Sequence, residues 1–407
     1  MTTQTLNPTA PIAIDSRALV PGPAAITAMV IALAAWYLGT AISWRQGALF
    51  LVGAGAGVVL YHAAFGFTSS WRVFISDRRG AGLRAQMLML ALTCAVFFPL
   101  LAAGTFLGQP LRGSVSPAGV GVVAGAFIFG LGMQLGGGCA SGTLFSVGGG
   151  SARMLVTLLF FIIGSVIGTA HTPWWNARPA FPATSLVTTL GPWLGLAVCF
   201  ALFAGIAWFT RVAERKRHGR IVDETRPAAG PRWLQGPWPL VAGAVGLAAV
   251  NIATLTIGGR PWGVTSAFAL WGAKLFAALG IDVASWAYWT TPAQATALRS
   301  SVLIDVTSVM DFGIILGALM AAMLAGRFAP VWKVSGRSLA AAVIGGILLG
   351  YGARIAYGCN IGAYFSGIAS GSLHGWLWLV AAFAGNIAGT GLRPMFGLNV
   401  EKTLTAC

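Results

Sequence analysis

The chain has 407 residues, of which 57% are hydrophobic and only 8% charged; a soluble protein of this size carries roughly a quarter charged residues. That balance argues against a soluble enzyme and for an all-α polytopic membrane protein. The formal charge of +16 does not point to nucleic acid. The basic residues gather in three loops, Arg72 to Arg84, Arg211 to Arg232, and Arg327, Lys333 and Arg337, and positive-inside reasoning places all three in the cytoplasm beside anionic lipid.

In chain order, residues 1–23 are polar and lack a signal-peptide pattern, which predicts a disordered cytoplasmic tail. Windows near the length of about 20 apolar residues needed to cross a bilayer then predict spans near 24–42, 47–64, 85–107, 117–137, 152–170, 189–210, 237–258, 305–326, 338–357 and 373–392. They divide into a first membrane repeat, 24–210, and a second, 237–393, joined by a basic cytoplasmic linker at 211–236. Residues 394–407 form a C-terminal tail, and both termini are expected in the cytoplasm.

The halves echo each other. Against a constant offset, Gly125, Gly130, Gly132, Gly138, Cys139, Gly142, Phe145 and Ser146 meet identical residues in Gly345–Ser366. A shorter echo joins "FGFTSSW" (Phe65–Trp71) to "WGVTSAF" (Trp262–Phe268), pairing Gly66 with Gly263. With the basic loops inside, the span before Cys139 runs inward and the span before Cys359 runs outward. The expected architecture is an inverted-topology repeat with a substrate path at its interface.

The segments "GGGCASG" and "YGCNIG" interrupt apolar runs with glycine. Irregular backbone at membrane depth is tolerated where protein buries it or a polar cavity receives it. Broken or re-entrant helices are therefore expected, their N-terminal amides open to an anion, with Cys139 and Cys359 as soft contacts on the wall. Gly138, Gly142, Gly358 and Gly362 flank the two thiols, and Ser141 and Asn360 supply polar atoms beside them. The plainer reading makes both cysteines small hydrophobes in helix contacts; their recurrence at one column of both halves favours the functional one.

Arg354, five residues before Cys359, and Lys274, on an expected re-entrant helix, can draw an anion inward or snorkel to an interface. Thr68, Ser69, Thr143, Thr265 and Ser266 are further hydroxyl donors, and Asp305 and Asp311 candidate partner carboxylates. Cys94 and Cys199 read as packing residues, Cys407 as incidental and His374 as a helix-start position. No CxxC, metal-spaced Cys/His cluster or ATP-binding loop occurs, so neither a metal nor a cofactor is expected, and transport rather than catalysis is.

At these residues the chain resembles the YeeE/YedE-like membrane transporters of sulfur compounds. The matching segments are "GLGMQLGGGCASGTLFSVGGGS", "GRPWGVTSAFALWGAK", "YGARIAYGCNIGAYFSGIASGSLHGW" and "FGFTSSWRVFISDRRGAGLRAQ". The resemblance implies a bacterial inner-membrane importer of thiosulfate or a related sulfur anion, with an hourglass fold and membrane-penetrating loop helices. It implies that Cys139 and Cys359 are successive hydrogen-bond partners for the anion, and that a separate small cytoplasmic sulfur-carrier protein is a partner. Some members carry a third cysteine where this chain has Gly66, which widens the expected cargo to other sulfur or selenium species. The rival reading is an intramembrane thiol oxidoreductase, which needs Cys139 and Cys359 within about 7 Å between Cα atoms.

Overall fold

The computed structural model describes residues 21–222, 231–328, 330, 332 and 334–401. Most of the expected N-terminal tail, the middle of the linker, Lys333 and the last six residues with Cys407 lie outside the described residues.

The first half comprises α1 (Pro21–Ala41), α2 (Trp44–Ala63), α3 (Phe67–Asp77), α4 (Ala81–Ala103), α5 (Val120–Gly136), α6 (Ala140–Gly148), α7 (Ala152–Asn176), the single turn α8 (Leu186–Thr189) and α9 (Pro192–His218). The second half comprises α10 (Arg232–Gln235), α11 (Leu240–Gly258), α12 (Thr265–Ala278), α13 (Pro292–Arg299), α14 (Val306–Leu324) and α15 (Gly336–Ile355). A π-helical turn, Asn360–Phe365, then runs into α16 (Ser366–Ala369), and α17 (Leu373–Leu392) follows. Ten stretches of the described residues are long and apolar enough to cross a membrane, matching the ten expected spans. Residues 211–218 of the expected linker are helical, because α9 continues to His218. The Arg215, Lys216, Arg217 and His218 side chains in its last turn suit the negative end of the helix dipole.

Sequence dictates where these helices start. Ser43, Ser151, Asp305 and Ser335 cap α2, α7, α14 and α15 with side-chain oxygens that accept from amides three residues on.

The repeat is visible in the packing. α15 lies along α7 as α17 lies along α5, and α14 along α2 as α4 lies along α11. Equivalent helices of the two halves meet antiparallel. Gly125 of α5 abuts Gly352 and Ile355 of α15, whereas Gly136, eleven residues on, abuts Gly345. In the same way Gly243 of α11 faces Ala63 of α2, and Gly246 faces Val59. Small residues let these backbones touch, and the antiparallel contacts are those of an inverted repeat.

The first two basic loops share one end of the molecule. Arg84 at the start of α4 pairs with the buried Glu214 near the end of α9 at 2.6 Å. His218 Nε2 lies 2.7 Å from the Asp77 carbonyl, and Arg72 pairs with Glu401 at 2.7 Å, bringing the last described residue to the same end.

Candidate functional site

Each half holds two places where a long helix stops and a short one begins: α2 to α3, α5 to α6, α11 to α12, and α15 to the π-helical turn. At the cysteine motifs the two breaks have the same construction. Gly137 (φ +92°) and Tyr357 (φ +59°), which occupy one repeat position, are both left-handed. Glycine adopts that conformation without strain, whereas tyrosine does so at a cost. Two residues later the backbone re-enters extended geometry, with φ −81° and ψ −170° at Cys139 and φ −104° and ψ −166° at Cys359. Both cysteines are therefore N-caps of short helices, and both are buried.

Their thiols are not treated alike. The Gly142 amide donates to Cys139 Sγ at 3.4 Å, and the Ser141 hydroxyl lies 3.4 Å from the same sulfur. Cys359 makes no capping hydrogen bond. The neighbouring Asn360 is fully buried, and both its amide atoms lack a partner among the described residues. The Thr68 hydroxyl in the first turn of α3 and the Trp262 indole N–H before Gly263 are likewise buried and unpartnered. α6 packs against the π-helical turn, which brings together the two short helices that the cysteines cap.

The glycines divide by role. Gly138 and Gly358 are packed: a Cβ on Gly138 would meet Met154 at 2.8 Å, and one on Gly358 (φ +148°) the Ala363 amide at 2.8 Å. A Cβ on Gly142 would rest on Cys139 Sγ at 3.4 Å. Gly263 and Gly362 face open space, with nothing within 4 Å of a Cβ. At Gly66 a side chain would run into the Ser69 hydroxyl, which folds back to donate to the Gly66 carbonyl at 3.1 Å.

At the basic end a cleft of about 1160 Å³ reaches from Ala64, two residues before Gly66, along Ser69 and Ser70 to Arg72, Arg79, Arg84, Arg211 and Glu401. Its other wall is apolar, with Phe200, Phe203 and Leu240 among the residues there.

The structure does not bring Arg354 and Lys274 to the thiols. Arg354 turns toward α7, where its stem packs on Gly168, and its guanidinium bonds the Tyr288 hydroxyl at 3.2 Å. Lys274 donates to the carbonyls of Leu298 and Ser300, both at 2.7 Å, at the end of α13. Two other hydroxyl candidates are spent locally, Thr143 on the Cys139 carbonyl and Ser266 on Thr307. Sequence reading also passed over the braces of the breaks. Gln134 donates to the Thr68 carbonyl (3.2 Å) and to Asn386 (2.6 Å). Asn251 accepts from the Trp262 amide at 2.9 Å, and Ser366 donates to the Trp262 carbonyl at 2.7 Å. The available signal was a lone amide side chain within an apolar span.

The chain matches the family model described as sulphur transport over residues 62–388. It is 28% identical over 356 residues to the thiosulfate transporter TsuA of Spirochaeta thermophila, covering 83% of this chain and 95% of that protein. To the thiosulfate transporter TsuA of Escherichia coli it is 25% identical over 353 residues, 82% of this chain and 91% of that protein. To the probable transporter YedE of Escherichia coli it is 31% identical over 171 residues, 42% of each chain. With its ten apolar spans, its inverted halves and a family match that runs from the end of α2 into α17, this chain belongs to the sulphur transport family of membrane proteins.

Proposed function

We propose that this protein imports thiosulfate or a related sulfur anion across the bacterial inner membrane, passing it between Cys139 and Cys359. The observation that carries this reading is the matched pair of buried cysteine N-caps in helix breaks of the two inverted halves. A thiol can donate to a sulfur or oxygen atom of the anion, and helix N-termini favour its charge. Asn360, Thr68 and Trp262 hold unpartnered donors that a passing anion can engage. The names of the TsuA relatives support the cargo class.

In this reading the basic end is cytoplasmic, by the positive-inside rule, and the arginine-rimmed cleft below Gly66 is the exit. A separate small sulfur-carrier protein receives the cargo there. Residues 24–210 and 237–393 form the two halves of the path around the linker 211–236. Ser141, Gly142, Gly263 and Gly362 line or flank the route, while Gly138 and Gly358 shape it. Because Gly66 and the Ser69 hydroxyl replace a third thiol at the exit, the cargo range extends to other sulfur or selenium oxyanions.

The test is growth on thiosulfate as sole sulfur source, in a host without its own sulfate and thiosulfate importers. Wild type, Cys139→Ala and Cys359→Ala are compared at matched membrane expression. Growth of wild type with loss in both variants is expected. Equal growth of all three would return the cysteines to a packing role.

A further inference from the structure

Among the described residues Asp311 is a fully buried carboxyl without a counter-ion. It sits within α14 with no solvent exposure, and neither oxygen has a hydrogen-bond partner among the described residues. Asp305, six residues earlier, shows the contrast: it caps α14, accepting from the Ser308 amide (2.7 Å) and hydroxyl (2.8 Å), and lies 3.6 Å from Arg260. Burying an ionised, unpaired carboxylate is among the costliest things a membrane segment can do, and such residues mark ion pathways.

Its position is on the route. Met310 and Ile314 of α14 meet Gly53 and Gly57 of α2, while Ile315 meets Gly148 of α6. Asp311, one turn before Ile315, therefore shares the stripe facing α6, the short helix that Cys139 caps. α6 packs in turn against the π-helical turn that Cys359 caps. Among the described side chains, the titratable and charged groups on the elements packed against α14 are Tyr37 of α1, Arg45, Tyr61 and His62 of α2 and Lys274 of α12, together with Cys139 at the start of α6. Lys274 is engaged with the carbonyls at the end of α13.

We propose that Asp311 is a proton-binding site on the anion passage: the anion passes Cys359 when the carboxyl is neutral, and the proton is carried with it. The step is reversible addition of a proton to a carboxylate oxygen, with release on the far side. The physical reason is like-charge repulsion in a poorly screened interior, which an anion beside an ionised Asp311 cannot escape. The inference rests on the import reading for its cargo but not for its proton.

The test uses the purified full-length protein in proteoliposomes. Dicyclohexylcarbodiimide, an apolar reagent that attacks protonated carboxyls, is expected to modify Asp311 under mildly acidic conditions. The adduct is located by peptide mass spectrometry; it declines as pH rises and forms more slowly with thiosulfate present. No adduct at Asp311 in folded protein would overturn the proposal. In parallel, an inward proton gradient is expected to speed wild-type uptake of radiolabelled thiosulfate about tenfold, an ordinary coupling. Asp311→Asn loses that stimulation, and Asp311→Glu regains part of it, so a folding defect is told apart from loss of the proton site. Stimulation retained in Asp311→Asn overturns the proposal. An adduct at Asp311 without any wild-type uptake supports the proton site and defeats thiosulfate as the cargo.

Discussion

The Cys139 thiol accepts a hydrogen bond from the Gly142 amide at 3.4 Å, whereas Cys359, in nearly the same backbone conformation at the equivalent point of the other half, makes no such bond. The two positions therefore separate capping from cargo contact. Serine is among the preferred N-caps, and loss of a cap costs about 0.5–2 kcal/mol. Cys139→Ser is expected to keep wild-type thermal stability while losing uptake, and Cys139→Ala to lose both. At Cys359 the alanine and serine variants should be equally stable and equally inactive. Thermal unfolding in detergent, paired with radiolabelled uptake, checks this. A Cys139→Ser variant with full uptake would mean that the hydroxyl serves as well as the sulfur.

The antiparallel and parallel helix contacts depend on backbone approach at glycine. A Cβ on Gly317 would overlap the Ala54 carbonyl of α2, and one on Gly345 the backbone of Gly136. Overpacking of this kind costs about 1–3 kcal/mol, so Gly317→Ala and Gly345→Ala are expected to lower the unfolding temperature and the yield of monodisperse protein. Gly55, on the exposed face of α2, has nothing within 4 Å of a Cβ. Gly55→Ala should leave stability unchanged or raise it by up to about 1 kcal/mol, the helix-propensity difference.

These contacts also explain what could be read in advance. The inversion was legible because the basic loops fix the direction of the span before each cysteine, and the matched Gly125, Gly132, Gly345 and Gly352 are among the places where α5 and α15 meet. The cysteine caps were legible because glycine before an apolar stretch forces a break. The partners of Arg354 and Lys274 were not. Spacing from Cys359 along the chain does not fix the direction in which a helical side chain points, and Arg354 leaves α15 toward α7. Lys274 is held by carbonyls at the end of α13 some 25 residues away, which carry no pattern of their own. The isolation of Asp311 was hidden for a related reason, since a missing partner is a property of packing.

The Lys274 ammonium closes the end of α13, where two carbonyls lack intrahelical donors. Lys274→Met is expected to destabilise the protein by about 1–2 kcal/mol, the scale of partly exposed charge-assisted bonds, and to leave the KM for thiosulfate unchanged. Arg354→Gln, which removes the bond to Tyr288, should behave in the same way. Concentration-dependent uptake by both variants is the measurement. A KM raised about tenfold would instead place the cation on the anion's route.

Glu401 ties the last described residue to α3 at the rim of the basic cleft through the Arg72 guanidinium, with bonds of 2.7 to 3.1 Å. Burial alone would raise its pKa, but the hydrogen bonds and charge of Arg72 outweigh that effect and hold the carboxyl below the usual glutamate value. A depressed folded-state pKa means that the tether is fully present above the ordinary glutamate pKa of about 4.3 and is lost as pH falls through the lower, folded-state value. Hydrogen exchange of the amides around residues 397–401 should accordingly be slow at neutral pH, relative to intrinsic rates, and lose that protection only under strongly acidic conditions. Glu401→Gln should lose part of it at every pH, because a neutral amide keeps one acceptor but not the charge. Protection that is independent of pH and of this substitution would show that the segment is held by its apolar contacts instead of by Arg72.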